Sequence, residues 1–289
     1  MDKFVGDQAE GLRRLLAHHG SRVIAVVGGS RGVGSSTTVL NLAAALAEQG
    51  KDVIVVDERA GVGSISQMLG KGRSAGDFAA LMRGQLTLAE SLGRHPLGFG
   101  VLTASPANRA GLPMEAFDCL FDGAADIVLI DAELNRQGAL SPLALHAHDV
   151  VVVTRAAAQE LTDTYATLKR LHYTHAIAQF WVLANRVQKK SDAKVAFDNL
   201  AGVASRYLAV ALNDAGSVSA DTRMARATEL ARCVVDAFPS TPAARDFRQL
   251  AAELQYWPIR PAMSSSRQEL PGATLTAVRG VRQPSAEHA

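Results

Sequence analysis

From residue 22 onward, apolar runs of strand length alternate with stretches of helical spacing. Arg22-Val-Ile-Ala-Val-Val27 reads as a strand, Thr37 to Gln49 as a helix and Asp52-Val-Ile-Val-Val-Asp57 as the next strand, which together make a βαβ unit. Further strands are expected at 98–104, 126–131, 149–154, 180–185 and 207–212. These runs are apolar at successive positions, so both faces of each strand are expected to be covered, as in a parallel sheet layered between helices. The pattern predicts a single doubly wound, mostly parallel α/β domain over 21–257. In such sheets ligands lie beyond the carboxyl ends of the strands, here Val27, Asp57, Asp131, Thr154 and Asn185.

Two segments fall outside the alternation. Residues 1–20 contain Asp7-Gln-Ala-Glu-Gly-Leu-Arg-Arg-Leu-Leu16, a capping-box-like start followed by Leu12, Leu15 and Leu16 on one helical face. Residues 258–289 carry Pro258, Pro261, Pro271 and Pro284 and no aromatic residue, the composition of a mobile tail. Between them, Phe247, Leu250, Ala251, Leu254 and Trp257 share a helical face. Its mixed-sign polar side suits core packing better than a lipid surface, which favours Lys and Arg; membrane contact stays the weaker alternative.

Composition narrows the function classes. Thirty Lys and Arg against 28 Asp and Glu give a net charge of +2, so no broad basic surface for nucleic acid is expected. The two cysteines lack metal-ligand spacing and are too few for a disulfide scaffold, which fits a reducing compartment. The eight histidines also lack metal spacing, and His18, His19 and His172 read as solvent-facing residues at helix ends. The start has no signal-peptide core and no run is long enough to span a bilayer, so a cytoplasmic protein is expected.

The chemistry concentrates in Gly28-Gly-Ser-Arg-Gly-Val-Gly-Ser-Ser-Thr37, between the first strand and its helix. Glycines let successive backbone N–H groups curl around a phosphate, and the helix that follows adds the positive end of its dipole. Gly29 to Ser36 has P-loop spacing, with Ser35 where the lysine belongs and Ser36 as the hydroxyl for Mg²⁺.

Two families share this spelling. Val27 to Gly34 resembles the glycine turn of short-chain dehydrogenases, with Asp57 as a ribose acid and Tyr165 and Lys169 as their Tyr-x-x-x-Lys, implying an NAD(P) oxidoreductase. Val152, however, stands about where the catalytic serine should lie. The second resemblance covers about residues 7–256. Gly29 to Asp57, with Asn41-Leu-Ala43, is similar to the deviant Walker A region of the MinD/ParA ATPases, whose usual form is G-K-G-G-V-G-K-T-T. Asp7 to Arg14 matches the D-Q-A-x-x-L-R signature of the flagellar-number branch called FlhG, FleN or YlxH, and Thr162 to Tyr165, Leu183 to Val187 and Phe238 to Ala244 resemble that branch as well.

That resemblance implies an ATP/ADP site built from Gly29, Ser30, Arg31, Gly32, Val33, Gly34, Ser35, Ser36 and Thr37, with Asn185 and Arg186 at the base. It implies Mg²⁺ on Ser36, Asp57 and Asp131, the two aspartates also being the catalytic candidates. It also implies a nucleotide-sandwich homodimer and control of flagellar number or placement, peripheral at the cell pole or membrane. In that branch Asp7, Gln8, Leu12 and Arg13 would meet the GTPase FlhF and stimulate it, with a flagellar transcription regulator or a C-ring protein as further partners.

The departures are specific. The family's two lysines are Ser30 and Ser35 here. Its first switch, D-x-D, reads Asp57-Glu58-Arg59, and its second, D-x-G, reads Asp131-Ala-Glu133. One cation on a transferring phosphoryl group is worth about 10³–10⁵ in rate, whereas a charge-assisted hydrogen bond contributes about 1.5–3 kcal/mol to binding. Hydrolysis is therefore expected to be weak or lost while binding persists. Arg31 and Arg59 are the candidates to replace the missing charge, and in the alternative reading they sustain an active ATPase.

Overall fold

The computed structural model describes residues 20–70, 77–258 and 260–263. The expected helix at 7–16, with Asp7, Gln8, Leu12 and Arg13, lies outside the described residues, as does nearly all of the 258–289 segment. The strands are β1 (Arg22–Gly28), β2 (Val53–Asp57), β3 (Gly93–Arg94), β4 (Gly100–Thr103), β5 (Ile127–Asp131), β6 (Asp149–Thr154), β7 (Gln179–Val187) and β8 (Ala211–Ser219). They form one sheet in the order β3-β4-β2-β5-β1-β6-β7-β8, parallel except for the short β3–β4 edge pair. The long helices are α1 (Ser35–Glu48), α2 (Ala158–His175), α3 (Lys190–Leu208) and α4 (Pro242–Leu254).

Alternate residues of the central strands feed two cores, as the period of two requires. Ile24, Val26, Val53 and Val55 face α1 and α4, while Val23, Ala25, Val27, Ile54 and Val56 face the opposite core with Leu168 and Leu171 of α2. The expected apolar face of α4 is buried: Phe247, Leu250, Ala251 and Leu254 pack in the first of these cores. Full burial of one such large side chain contributes about 1.5–3 kcal/mol. That face is consequently occupied by the domain itself. Among the described residues no helix is long and apolar enough to cross a membrane.

Two expectations are corrected. The apolar run at 207–212 is not a strand: α3 continues to Leu208, Ala209 turns the chain at φ 53, and β8 begins at Ala211. Leu208 belongs to a helix and Leu212 to a strand, and a short apolar run carries no period that separates the two. The rest of β8 includes Asn213, Asp214 and Ser217 and is an edge strand whose polarity hid it. His172 is half-buried rather than solvent-facing, its Nδ1 lying 2.9 Å from the Ile177 carbonyl.

The chain leaves β1 towards β2 on one side and later returns to add β6 on the other. The carboxyl ends of β5, β1 and β6 therefore meet at the switch point of the sheet, where a crevice is expected. The glycine loop after β1 lies at this point.

Candidate nucleotide site

The loop is held in place from beneath. Gly29 donates its N–H to the Val153 carbonyl at 2.8 Å, and its own carbonyl accepts from the buried Thr167 hydroxyl at 2.9 Å. A Cβ at Gly29 would lie 2.2 Å from Thr164 Oγ1, so only glycine allows α2 to approach this closely. Gly34 precedes α1 at φ 97, in the left-handed region, and a Cβ there would stand 2.5 Å from Asn185 Nδ2. Asn185 uses its whole carboxamide locally: Nδ2 donates to the Val33 carbonyl at 2.7 Å, and Oδ1 accepts from the Arg186 N–H at 2.8 Å. Arg155, at the end of β6, straps the outer turn by donating to the Gly32 carbonyl at 2.6 Å.

Two adjoining cavities open over this cradle. A cleft of about 1020 Å³ runs along the glycine loop, Ser35, Ser36 and Thr37, and includes Arg31, Arg59, Arg136, Arg170 and Arg186. A second, of about 510 Å³, shares Gly34, Thr37 and Arg186 with it and extends over Asn185 to Asp221 and Met224. The first is cationic and lined by backbone donors, which suits phosphates; the second has the room and mixed polarity for a base and sugar. Asp221 lines it with Oδ2 buried and unpartnered among the described residues.

The predicted residues are placed unequally. Gly29 to Gly32, Gly34 to Thr37, Asn185 and Arg186 gather at these cavities, with Ser35 and Ser36 buried and Arg31 and Arg186 exposed, whereas the side chain of Val33 turns into the hydrophobic core and lines neither. Asp57 and Asp131, on neighbouring strands, are fully buried beneath them. Asp57 already accepts from the Arg59 N–H at 3.1 Å and from the Ser66 N–H at 3.2 Å. Burial raises its pKa against those hydrogen bonds. Asp131 receives Arg59 Nε on Oδ1 at 3.3 Å, while its Oδ2 is buried without a hydrogen-bond partner among the described residues. Burial pushes Asp131 up to about 7; the Arg59 charge and the Ser36 hydroxyl oppose that rise, and Asp57 adds to it.

These donors do not fit the expected Mg²⁺ set as they stand. Mg²⁺ demands near-octahedral oxygen ligation, with one or two carboxylates completed by phosphate and water. Asp57 is engaged by the chain itself, and Asp131 already faces a guanidinium, which leaves the Ser36 hydroxyl and one carboxylate oxygen.

Sequence reasoning missed Glu58. It is fully buried, accepts from the Glu133 N–H at 3.0 Å and from the Ser141 hydroxyl, and pairs with Arg109 at 3.4 Å. Burial raises its pKa, and Arg109 and Ser141 pull it back. Glu58 therefore ties the loop after β2 to the loop after β5. Arg155, Arg136 and Arg170 were also missed. Arg155 directly follows a strand end, a position that could have marked it; Arg136 and Arg170 carry no local signal.

The dehydrogenase constellation is not assembled. Tyr165 packs on the core beneath the sheet and Lys169 lies against the Tyr173 ring, so neither lines the cleft.

A glycine cradle at the switch point of a parallel sheet, opening at a helix N-terminus into a cationic cleft, defines a nucleotide-binding domain of the P-loop class. The model of the CobQ/CobB/MinD/ParA nucleotide binding domain matches residues 24–229, and the chain belongs to that family. It is 29% identical to the antiactivator FleN of Pseudomonas aeruginosa, over 86% of this chain and 91% of that protein. It is 30% identical to the chromosome-partitioning ATPase Soj of Thermus thermophilus, over 81% of this chain and 95% of that one. Among solved structures, the MinC:MinD cell division complex of Aquifex aeolicus matches at TM-score 0.65 and 19% identity, over 83% of this chain and 97% of that chain. MinD of Pyrococcus horikoshii, complexed with Mg-ADP, matches at TM-score 0.63 and 21% identity, over 81% and 96%.

Proposed function

We propose that this protein is a MinD/ParA-like regulator of flagellar number or placement that holds adenine nucleotide, splits it weakly or not at all, and acts through partner contacts. The observation that carries the reading is an intact backbone cradle without the family's ammonium groups. Gly34, Val33 and Asn185 keep the loop's form, while Ser30 and Ser35 stand at both lysine positions. Backbone donors and a helix dipole hold phosphate in the ground state, whereas phosphoryl transfer needs cations that follow the developing charge. Arg59 occupies the position whose family carboxylate helps hold the attacking water, and neighbouring Glu58 is buried in structural contacts.

The flagellar role rests on the likeness to FleN and on the Asp7 to Arg14 signature. The GTPase FlhF would be met by Asp7, Gln8, Leu12 and Arg13, Gln8 having the chemistry to orient a water near a γ-phosphate. A transcription regulator or a C-ring protein is the further partner class, and a homodimer would form over the nucleotide cleft.

Titration with ATP, ADP and NADP(H), followed by phosphate release, tests the reading. Micromolar adenine-nucleotide binding with turnover at least about 10³-fold below an active relative is expected. Robust ATP turnover would establish the alternative, an arginine-assisted ATPase. A Gln8→Ala chain that stimulates the GTPase as well as the parent would remove the activator role, and unchanged light scattering on adding ATP would remove the dimer.

A further inference from the structure

The two arginines offered by the sequence as substitutes for lysine are not equivalent in the fold. Arg31 is exposed and makes no ion pair or side-chain hydrogen bond among the described residues. Arg59 is built in. Its Nε lies 3.3 Å from Asp131 Oδ1 and its Nη2 donates to Ser35 Oγ at 3.2 Å, so one guanidinium spans the second-switch carboxylate and the residue at the lysine position of the loop. Its backbone is pinned as well. The Arg59 N–H is bonded to Asp57 Oδ1, and the residue before it, Glu58, is anchored by Ser141, the Glu133 N–H and Arg109, with its own N–H on the Asp131 carbonyl at 3.3 Å. The side chain is one-third exposed and lines the phosphate cleft, and Nη1 has no partner among the described residues.

A divalent ion in a P-loop neutralises phosphate charge while being balanced by a carboxylate beneath it. Arg59 stands in that relation to Asp131, and its remaining N–H donors match phosphate oxygens in fork geometry. Asp57 is no longer open as an alternative ligand. We infer that Arg59 is a resident cation of the phosphate site, serving in place of both the loop lysine and the metal, so that the chain binds nucleoside diphosphate and triphosphate independently of magnesium. This rests on the nucleotide reading above and sharpens it. A tethered guanidinium holds one arrangement and carries a single charge, so it supports a bound state better than it supports phosphoryl transfer.

The test is equilibrium titration of the full chain with fluorescent ADP and a non-hydrolysable ATP analogue, in excess MgCl₂ and in excess EDTA. For the parent chain the two dissociation constants are expected to agree within about threefold, because the cation is supplied by the protein. Arg59→Ala should bind about tenfold or more weakly in EDTA, the loss of one charge-assisted contact, and should recover part of that in MgCl₂, so that a metal dependence appears where none existed. Arg59→Lys, which keeps the charge, should restore most of the EDTA affinity; Arg31→Ala should leave the ratio unchanged. Thermal melting of each variant confirms that it is folded. Parent binding that collapses in EDTA, or an Arg59→Ala chain indistinguishable from the parent in both buffers, overturns the inference and leaves nucleotide binding standing. Absence of binding in either buffer overturns both.

Discussion

The two edges of the sheet use the same pair of residue types to different ends. At the amino edge, Asp149 opens β6, fully buried, and accepts from Arg22 Nη2 at 2.7 Å, Trp181 Nε1 at 3.0 Å and Arg260 Nη1 at 3.3 Å. Arg22 also donates to the carbonyls of Leu254, Trp257 and Pro258, and Trp257 stacks on Trp181 with ring centroids 3.6 Å apart. At the carboxyl edge, Asp131 closes β5, equally buried, with Arg59 at 3.3 Å, the Ser36 hydroxyl favouring its charged form, and Oδ2 without a hydrogen-bond partner among the described residues. The first carboxylate is saturated by the chain and clasps the segment that follows α4 to the sheet. The second is under-satisfied and sits beneath an open cleft. A buried charge left short of partners is costly, and such sites are retained where a ligand completes them.

Breaking the clasp should have the largest effect. Asp149→Ala leaves Arg22 and Arg260 facing a vacated site, and the loss of one partner from a buried pair costs about 3–5 kcal/mol, read as a lower urea midpoint. Nucleotide affinity of the folded fraction should be unchanged, since the change lies at the opposite edge. A smaller effect is expected from Gly34→Ala. The left-handed backbone at φ 97 costs about 1–2 kcal/mol for a residue with a Cβ, and that Cβ would displace Asn185 from the loop. Stability and nucleotide affinity should fall together, which separates this site from the clasp.

The smallest stability change belongs to Asp131→Asn. The amide removes a buried, poorly paired carboxyl group, so stability near neutral pH should shift by no more than about 1 kcal/mol, with a gain as acceptable as a loss. The pH dependence is sharper. The folded chain holds the Asp131 proton up to about 7, while the unfolded chain releases it near the ordinary value of 3.8. In that window the native state binds more protons, so this group's contribution to stability falls as pH rises. Denaturation midpoints from pH 4 to 8 should show that slope in the parent and a shallower one in Asp131→Asn, where the raised Asp57 and Glu58 still contribute; an identical slope in both would assign it to those groups alone.

Much of this architecture was legible along the chain. The strands at 22–27, 52–57, 126–131 and 149–154 were recognisable because parallel strands buried on both faces are continuous Val and Ile runs, and the glycine loop because its spacing is local. Strand β8 was not, since an edge strand carrying Asn213 and Asp214 has no apolar signature. The candidate site divides in the same way. The glycine loop from Gly29 to Thr37 could be located from one turn of sequence, although the burial of Val33 in the core could not, and Arg59 could be suspected from the residue it replaces.

The residues alone determined a parallel α/β domain with a phosphate-type loop lacking both lysines, because period, glycine spacing and strand ends are properties of short windows. Only the tertiary structure decided that Arg59 meets Asp131 across 72 positions, that Glu58 meets Ser141 across 83, and that Arg22 meets Asp149 across 127. Such pairings depend on which strands become neighbours and on how deeply each carboxylate is buried. Both are set by the packing of the whole sheet, and no short segment encodes them.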